Sequence, residues 1–220
     1  MRELTPLEAR VLGVLVEKQH TVPDTYPLSL NSLVAGCNQK TARQPVMEAA
    51  DADVLAAVDG LKSLSLANEV SGSRVVRFEH NAARGLGVPS QSAALLAVLM
   101  LRGPQTAAEL RLNCERLHRF ADISSVEAFL DELAEKQPAK VVKLARAPGE
   151  RESRWAHLLC GEVLQPVHVA GATALSADAV SAGELAALKA EQARLAAEVA
   201  ELRALVERLA RELGVSVPSA

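Results

Sequence analysis

The stretch Ser29–Leu64, SLNSLVAGCNQKTARQPVMEAADADVLAAVDGLKSL, decides how the rest of the chain is read. Its spacing predicts a short apolar helix over Leu30–Ala35 that stops at Gly36. A polar loop carrying Lys40 and Arg43 follows, then an amphipathic helix over Asp51–Leu66 with Val54, Val58 and Leu61 on its inner face. Upstream, Thr5-Pro6-Leu7-Glu8 has the form of a capping box with proline at the first helical position. The helix it opens carries Leu7, Val11, Val14 and Leu15 on one face and fades near Gln19. Thr21–Pro27, with two prolines, reads as a loop. Downstream, Ser71-Gly72-Ser73 separates two short runs, the second being Arg74–Phe78, which predicts a small β-hairpin.

Three helices and a hairpin are the order of a winged helix, a helix-turn-helix with a β-ribbon attached. Asn81–Pro89, with Gly85, Gly87 and Pro89, reads as the linker out of it. The order then returns. Ser90–Leu101 is apolar and stops at Gly103-Pro104, and Thr106–Glu109 and Ser124–Glu127 read as two further capping boxes. Val126, Phe129, Leu130 and Leu133 mark the next buried stripe. Lys140–Leu144 and Ser153–His157 flank a turn at Pro148-Gly149. Cys37 and Cys114 fall at matching places, each at the end of a middle helix. The expected fold class is therefore mainly α with small β-hairpins (α+β). It comprises a first winged-helix domain over residues 1–82, a second over 89–160, a linker over 161–180 and a C-terminal coiled-coil helix over 181–214.

The last of these rests on a heptad seam. Leu188, Leu195, Leu202 and Leu209 occupy d positions, and Val199 and Val206 occupy a positions, a combination that favours a parallel dimer. Gln192 places a polar side chain at an a position, where it fixes register at a cost in stability. The competing reading is a stripe that packs on the protein's own core.

Composition sets the class. Nearly half of the 220 residues are apolar, yet the aromatics are three Phe, one Tyr and one Trp, so the cores must be built from Leu, Val and Ala. Up to residue 160 the Lys and Arg balance the Asp and Glu, and the formal charge of −3 arises wholly in 161–220. A polybasic tail is thereby excluded. Three cysteines without a CxxC pair, no basic-then-apolar leader and no long apolar run point to a cytoplasmic protein with no membrane span.

Three segments, CNQKTARQPV (Cys37–Val46), LRGPQTAAELR (Leu101–Arg111) and ERLHRF (Glu115–Phe120), resemble the YceH family of bacterial cytoplasmic proteins. The resemblance covers about residues 3–160 and implies tandem winged-helix domains. It assigns no activity, substrate or catalytic residue, and the heptad tail lies outside its most similar region.

A helix-turn-helix normally sends its second motif helix, here the third of each unit, into the DNA major groove. The outward face of the first such helix offers Asp53, Ala56, Asp59 and Ser63, and that of the second Ala128, Asp131, Glu132 and Glu135. Both are acidic and would repel phosphate. Against that, Lys40 and Arg43 precede the first of these helices and Arg116 and Arg119 the second. The second hairpin, Lys140–Arg154, holds five cations, Lys143, Arg146 and Arg154 among them, against two acids. These cations form the expected phosphate-contacting set. The alternative is that they cap helix ends or pair with nearby acids.

Cys114-x3-His118 and His157-x2-Cys160 offer zinc-ligand residue types without a compact knuckle spacing, so no metal or other cofactor is expected. With no phosphate loop, GxSxG or HExxH, no catalytic residue is nominated. The expectation is a non-enzymatic homodimer that binds DNA. The alternative is an adaptor that binds a protein partner through its acidic faces and coiled coil.

Overall fold

The computed structural model describes residues 1–70, 75–146, 150 and 152–163. In chain order the elements are α1 (Pro6–Thr21), β1 (Leu28–Ser29), α2 (Leu30–Cys37), α3 (Asp51–Ser63), β2 (Ala67–Val70), β3 (Arg77–His80), α4 (Ala82–Leu86), α5 (Ser90–Arg102), α6 (Ala107–Asn113), α7 (Ile123–Glu135), β4 (Val141–Lys143) and β5 (Trp155–His157). The result is a mixed architecture of helices with small antiparallel sheets. The heptad segment lies wholly outside the described residues, and the expected linker almost wholly.

Helix α1 starts where the sequence places it. The Glu8 N–H donates to Thr5 Oγ1 at 3.1 Å, and Glu8 Oε2 accepts from the Thr5 N–H at 2.8 Å. Its burial is not one-sided, because every residue from Glu8 to Val16 is buried. The reason is α5, buried from Ser92 to Leu101, which packs along α1 and makes the most extensive helix contact in the fold. Gly13 permits that approach. A Cβ there would lie 2.9 Å from Leu101 Cγ and 3.4 Å from the Ala97 carbonyl oxygen.

Around α1 the first half closes with α2, α3 and a three-stranded sheet in the order β1-β3-β2. Leu28 pairs with Phe78 and Ala67 with His80. Helix α2 runs through Gly36 to Cys37 rather than stopping before them. Gly36 is buried against Val14, whose Cγ1 would stand 2.6 Å from an added Cβ. The second strand is Arg77–His80, offset from the expected Arg74–Phe78, because Phe78 must turn inward over the core. Asn81–Pro89 is not an open linker. It contains α4 and buries Ala82, Leu86 and Val88.

In the second half the elements follow a similar order, from α5 through α6 and α7 to β4 and β5. Thr106 and Glu109 form the expected capping box of α6. Helix α7 is capped one residue before its start by Asp122, whose Oδ1 accepts the Ser125 N–H at 2.7 Å, and not by Ser124. Strand β4 pairs with β5, and an isolated bridge from Gln105 to Trp155 stands where β1 stands in the first half. The two halves share one hydrophobic cluster. Backbone bonds from Leu4 N–H to the Leu159 carbonyl and from Gln44 N–H to the Leu101 carbonyl, each 2.7 Å, tie them together. Each fully buried Leu or Val along the α1–α5 seam contributes about 1.5–3 kcal/mol.

Candidate nucleic-acid interface

The connection from α2 to α3, residues 38–50, is long and polar, yet it is pinned at three points. Asn38 closes it on itself, donating to the Ala49 carbonyl at 2.9 Å and accepting the Ala49 N–H at 2.8 Å. Arg10, fully buried in α1, donates to the Cys37 carbonyl at 3.1 Å and the Pro45 carbonyl at 2.6 Å. Burial, with the positive charge of Arg43 nearby, lowers the Arg10 pKa from its ordinary value. Its Nε has no hydrogen-bond partner among the described residues.

Arg43 is the third pin. Its side chain is 1% exposed and sits on Glu17, with Nη2 2.6 Å from Oε2 and Nη1 3.1 Å from Oε1. It also donates to the Gly36 carbonyl and to Gln39 Oε1. Burial pushes the Glu17 carboxyl up, but the hydrogen bonds and charge of Arg43, joined by Lys18, outweigh it, and the pKa lies below the usual carboxylate value. Arg43 is thus enclosed by its own protein, while Lys40, three residues earlier, is exposed with no hydrogen bond or ion pair among the described residues.

The turn from α6 to α7 is pinned by apolar groups instead. Cys114 and Phe120 are buried, and Phe120 stands edge-on to both His118 and Phe129. Arg116 and Arg119 between them are exposed and uncommitted among the described residues. On the second hairpin, Lys143 lies over the Trp155 ring, 5.2 Å from its centroid. Arg154 pairs with Glu109 at 2.9 Å and Glu150 at 3.2 Å. Burial lowers the Arg154 pKa, but these acids together raise it above its ordinary value. Arg146 is exposed beside them.

Two adjoining recesses gather Arg43, Arg116 and Arg154 of the expected set, while Lys40, Arg119, Lys143 and Arg146 line neither. One, of about 350 Å³, is lined by Arg43, Arg102, Gln105, Glu109, Asn113 and Arg154. The other, of about 240 Å³, includes Glu17, Lys18, Arg43, Arg102, Asn113 and Arg116. Ala42, Arg43, Arg102 and Asn113 border both. The cleft therefore runs between the first-half loop and the second-half turn, with Arg154 near one end and Arg116 near the other. Arg102 and Lys18 belong to it without having been singled out in the sequence. The available signal is that each is a cation closing the apolar run of a helix, Val11–Val16 and Ala93–Leu101.

Elsewhere the outward residues of α3 (Asp53, Ala56, Asp59, Ser63) and α7 (Ala128, Asp131, Glu132, Glu135) are all exposed, as the helical spacing requires. A larger recess, about 630 Å³, lies beside α3 with Leu7, Met47, Ala49 and Ala57 on its floor and Glu48 and Asp53 among its lining. Among the described residues, no group of three or more His, Cys, Asp and Glu is placed to hold a metal, and no helix is long and apolar enough to cross a membrane. Cys114 Sγ points at the Ala94 carbonyl and Cys160 Sγ at that of Thr5, each at 3.7 Å.

Relatives exist along nearly the whole sequence. A UPF0502 protein of Burkholderia pseudomallei strain 668 is 70% identical over 220 residues, covering 99% of this chain and 92% of the relative. One from Burkholderia thailandensis is 70% identical over 215 residues, covering 98% and 91%. One from Leptothrix cholodnii is 67% identical over 220 residues, covering 100% and 99%. A family model matches residues 4–150, across both halves and every element that borders the cleft except Arg154 and β5. On these matches, the chain belongs to the family described as "Protein of unknown function, DUF480".

Proposed function

We propose that the protein is a non-enzymatic tandem winged-helix regulator, related to the YceH group, that binds DNA as a dimer by holding phosphates with its loops and second wing. The observation that carries this reading is the cleft. Cations from the first-half loop, the end of α5, the second-half turn and the second hairpin border two recesses that share four residues. A run of positive charge gathered from elements distant in sequence is the electrostatic footprint of a polyanion partner. The winged-helix reading is supported by the repeated element order and by Gln105–Trp155 standing in for Leu28–Phe78. In this reading the third helices do not enter the major groove, because their exposed faces are acidic. Contacts are to the backbone, and sequence discrimination is weak. Of the exposed cations Arg116 borders the cleft, and Lys40, Arg119 and Arg146, which line neither recess, are the further phosphate contacts in this reading. Arg43 positions the loop from inside. Dimerisation through the Leu188–Leu209 seam doubles the contact set.

The test is a titration of labelled mixed-sequence duplex followed by anisotropy across a salt series. Binding should weaken steeply with salt, and Lys40→Ala combined with Arg116→Ala and Arg119→Ala should flatten the slope. Absence of binding at low salt would sink generic phosphate recognition. Separately, a chain ended after Gly161 should sediment as a folded monomer, and a truncated dimer would remove the seam from the account.

A second reading has its own observation. The 630 Å³ recess beside α3 is apolar at its floor and bordered by Glu48 and Asp53. An adaptor that docks a basic, partly apolar segment of a protein partner fits that chemistry. Absence of duplex binding even at low salt would favour it.

A further inference from the structure

The smaller recess has a composition that backbone phosphates do not call for. Its cations are Lys18, Arg43, Arg102 and Arg116, and Glu17 is the one acid among its described lining residues. Glu17 is already spent on Arg43 at 2.6 Å and Lys18 at 3.3 Å. Arg102 and Arg116 make no side-chain hydrogen bond or ion pair among the described residues. Two guanidinium groups are therefore available at one recess whose remaining cations, Lys18 and Arg43, already outnumber its acid among the described residues. Counted from the helix caps Thr5 and Pro89, Lys18 and Arg102 are equivalent residues, each the thirteenth, so the recess gathers the matching cation of each half.

Size narrows the occupant. At about 240 Å³ the recess is smaller than the roughly 300–1,000 Å³ sites that enclose drug-sized ligands. A duplex is a convex rod whose phosphodiesters lie along its surface, so it can lie across the rims of the recesses but cannot enter this one. A terminal phosphate can. It brings three oxygens and close to two negative charges, and arginine forks satisfy such a group bidentately. We infer that this recess is an effector site for the terminal phosphate of a small phosphomonoester, held by Arg102 and Arg116 and backed by Lys18 and Arg43. The ligand would bridge the end of α5, the second-half turn and the first-half loop, and so fix the spacing of the cations that border the cleft. Because Arg116 serves both surfaces, occupancy would also remove one DNA contact. The site itself does not depend on the DNA reading.

The experiment uses the full chain without DNA. Inorganic phosphate is the dianionic probe and dimethyl phosphate the monoanionic diester control, each at constant ionic strength set with chloride. Calorimetric titration and the melting temperature are the readouts, since a ligand that binds only the folded state raises the melting point with concentration. Phosphate should bind and stabilise where the diester does not. Arg102→Ala and Arg116→Ala should each weaken it about tenfold, the scale of a charge-assisted hydrogen bond. Arg102→Lys should recover part of the loss. Equal effects of phosphate, diester and chloride, or phosphate binding that survives the double Arg102→Ala, Arg116→Ala variant, would overturn the assignment. Melting of the variants without ligand separates loss of binding from loss of fold. Duplex binding that persists in Arg102→Ala while phosphate binding is lost shows the two sites to be separable. Phosphate binding without any duplex binding would sink only the DNA reading.

Discussion

The loop after α2 and the turn after α6 do the same topological job and are held by opposite means. The first is fastened by charge and hydrogen bonds: Arg43 on Glu17, Arg10 on the Pro45 carbonyl, Asn38 on Ala49. The second is fastened by Cys114, Phe120 and the edge-on Phe129. The helices behind them differ to match. Counted from the caps, the twelfth residue is Glu17 in α1 and Leu101 in α5, and the fifth is Arg10 and Ala94. Where α1 supplies a buried charge, α5 supplies a methyl or an isobutyl group. The consequence for function is direct. The loop that needs ionic anchoring turns its arginine inward, and the turn that does not leaves Arg116 and Arg119 outside.

The largest effect should come from breaking the ionic anchor. Arg43→Ala strips the Gly36 carbonyl of this donor and leaves Glu17 and Gln39 with Lys18 alone, and removing one member of a buried pair costs about 3–5 kcal/mol. The lower end applies, because the Glu17 side chain keeps 18% exposure. Urea unfolding should show a fall in midpoint, and the double replacement Arg43→Met with Glu17→Leu should restore most of it. A small loss for Arg43→Ala would show the loop is not held by this pair.

Acid should expose a second weakness. Burial lowers the His157 pKa to about 4, and its Nδ1 has no hydrogen-bond partner among the described residues. Burial, with His20 nearby, likewise lowers His80 to about 4, where its Nδ1 accepts the Ala82 N–H. Between roughly pH 6.5 and 4 the unfolded chain binds more protons than the folded one, so stability is complete above that window and falls as pH drops through it. For His157 the loss is on the order of 3 kcal/mol, from about 1.4 kcal/mol per pH unit. Below that, protonation of Glu17, whose folded pKa is depressed, acts in the same direction. His157→Leu should flatten the pH dependence of the urea midpoint over this window. An unchanged slope would remove His157 from the explanation.

These anchors mark the boundary of what was legible. The caps at Thr5 and Thr106, the apolar periods of α1, α3 and α7 and the second hairpin follow from local chemistry, and they were readable because each signal lies within a few residues. The strand pairing of Leu28 and the inward turn of Arg43 depend on partners far along the chain, so no local pattern carries them. Arg43 and Arg116 look alike in sequence, each a cation in a polar stretch before a third helix. Only the presence of Glu17 beneath one of them, and Phe120 beside the other, separates a structural group from an available one. The segments that carry the family resemblance include Arg43 and Arg116 alike and do not draw that distinction.

The α1–α5 seam gives an intermediate effect. Gly13→Leu would drive a side chain into Leu101 and the Ala97 carbonyl, and overpacking of this kind costs about 1–3 kcal/mol. Gly13→Ala should cost less, since better helix propensity offsets part of the clash. If thermal melting ranked the two substitutions in the reverse order, the close approach would not be the reason for glycine.

The smallest stability change is expected at Arg116. Arg116→Ala removes an exposed side chain with no hydrogen bond or ion pair among the described residues, and such substitutions stay within about 0.5 kcal/mol. Arg43→Ala should therefore move the urea midpoint strongly, while Arg116→Ala leaves it in place and weakens both phosphate and duplex binding. That crossing pattern is the sharpest form of the contrast between the two connections. A large stability loss for Arg116→Ala would mean the second turn is also held by charge, and the division between an anchoring arginine and a binding arginine would then fail.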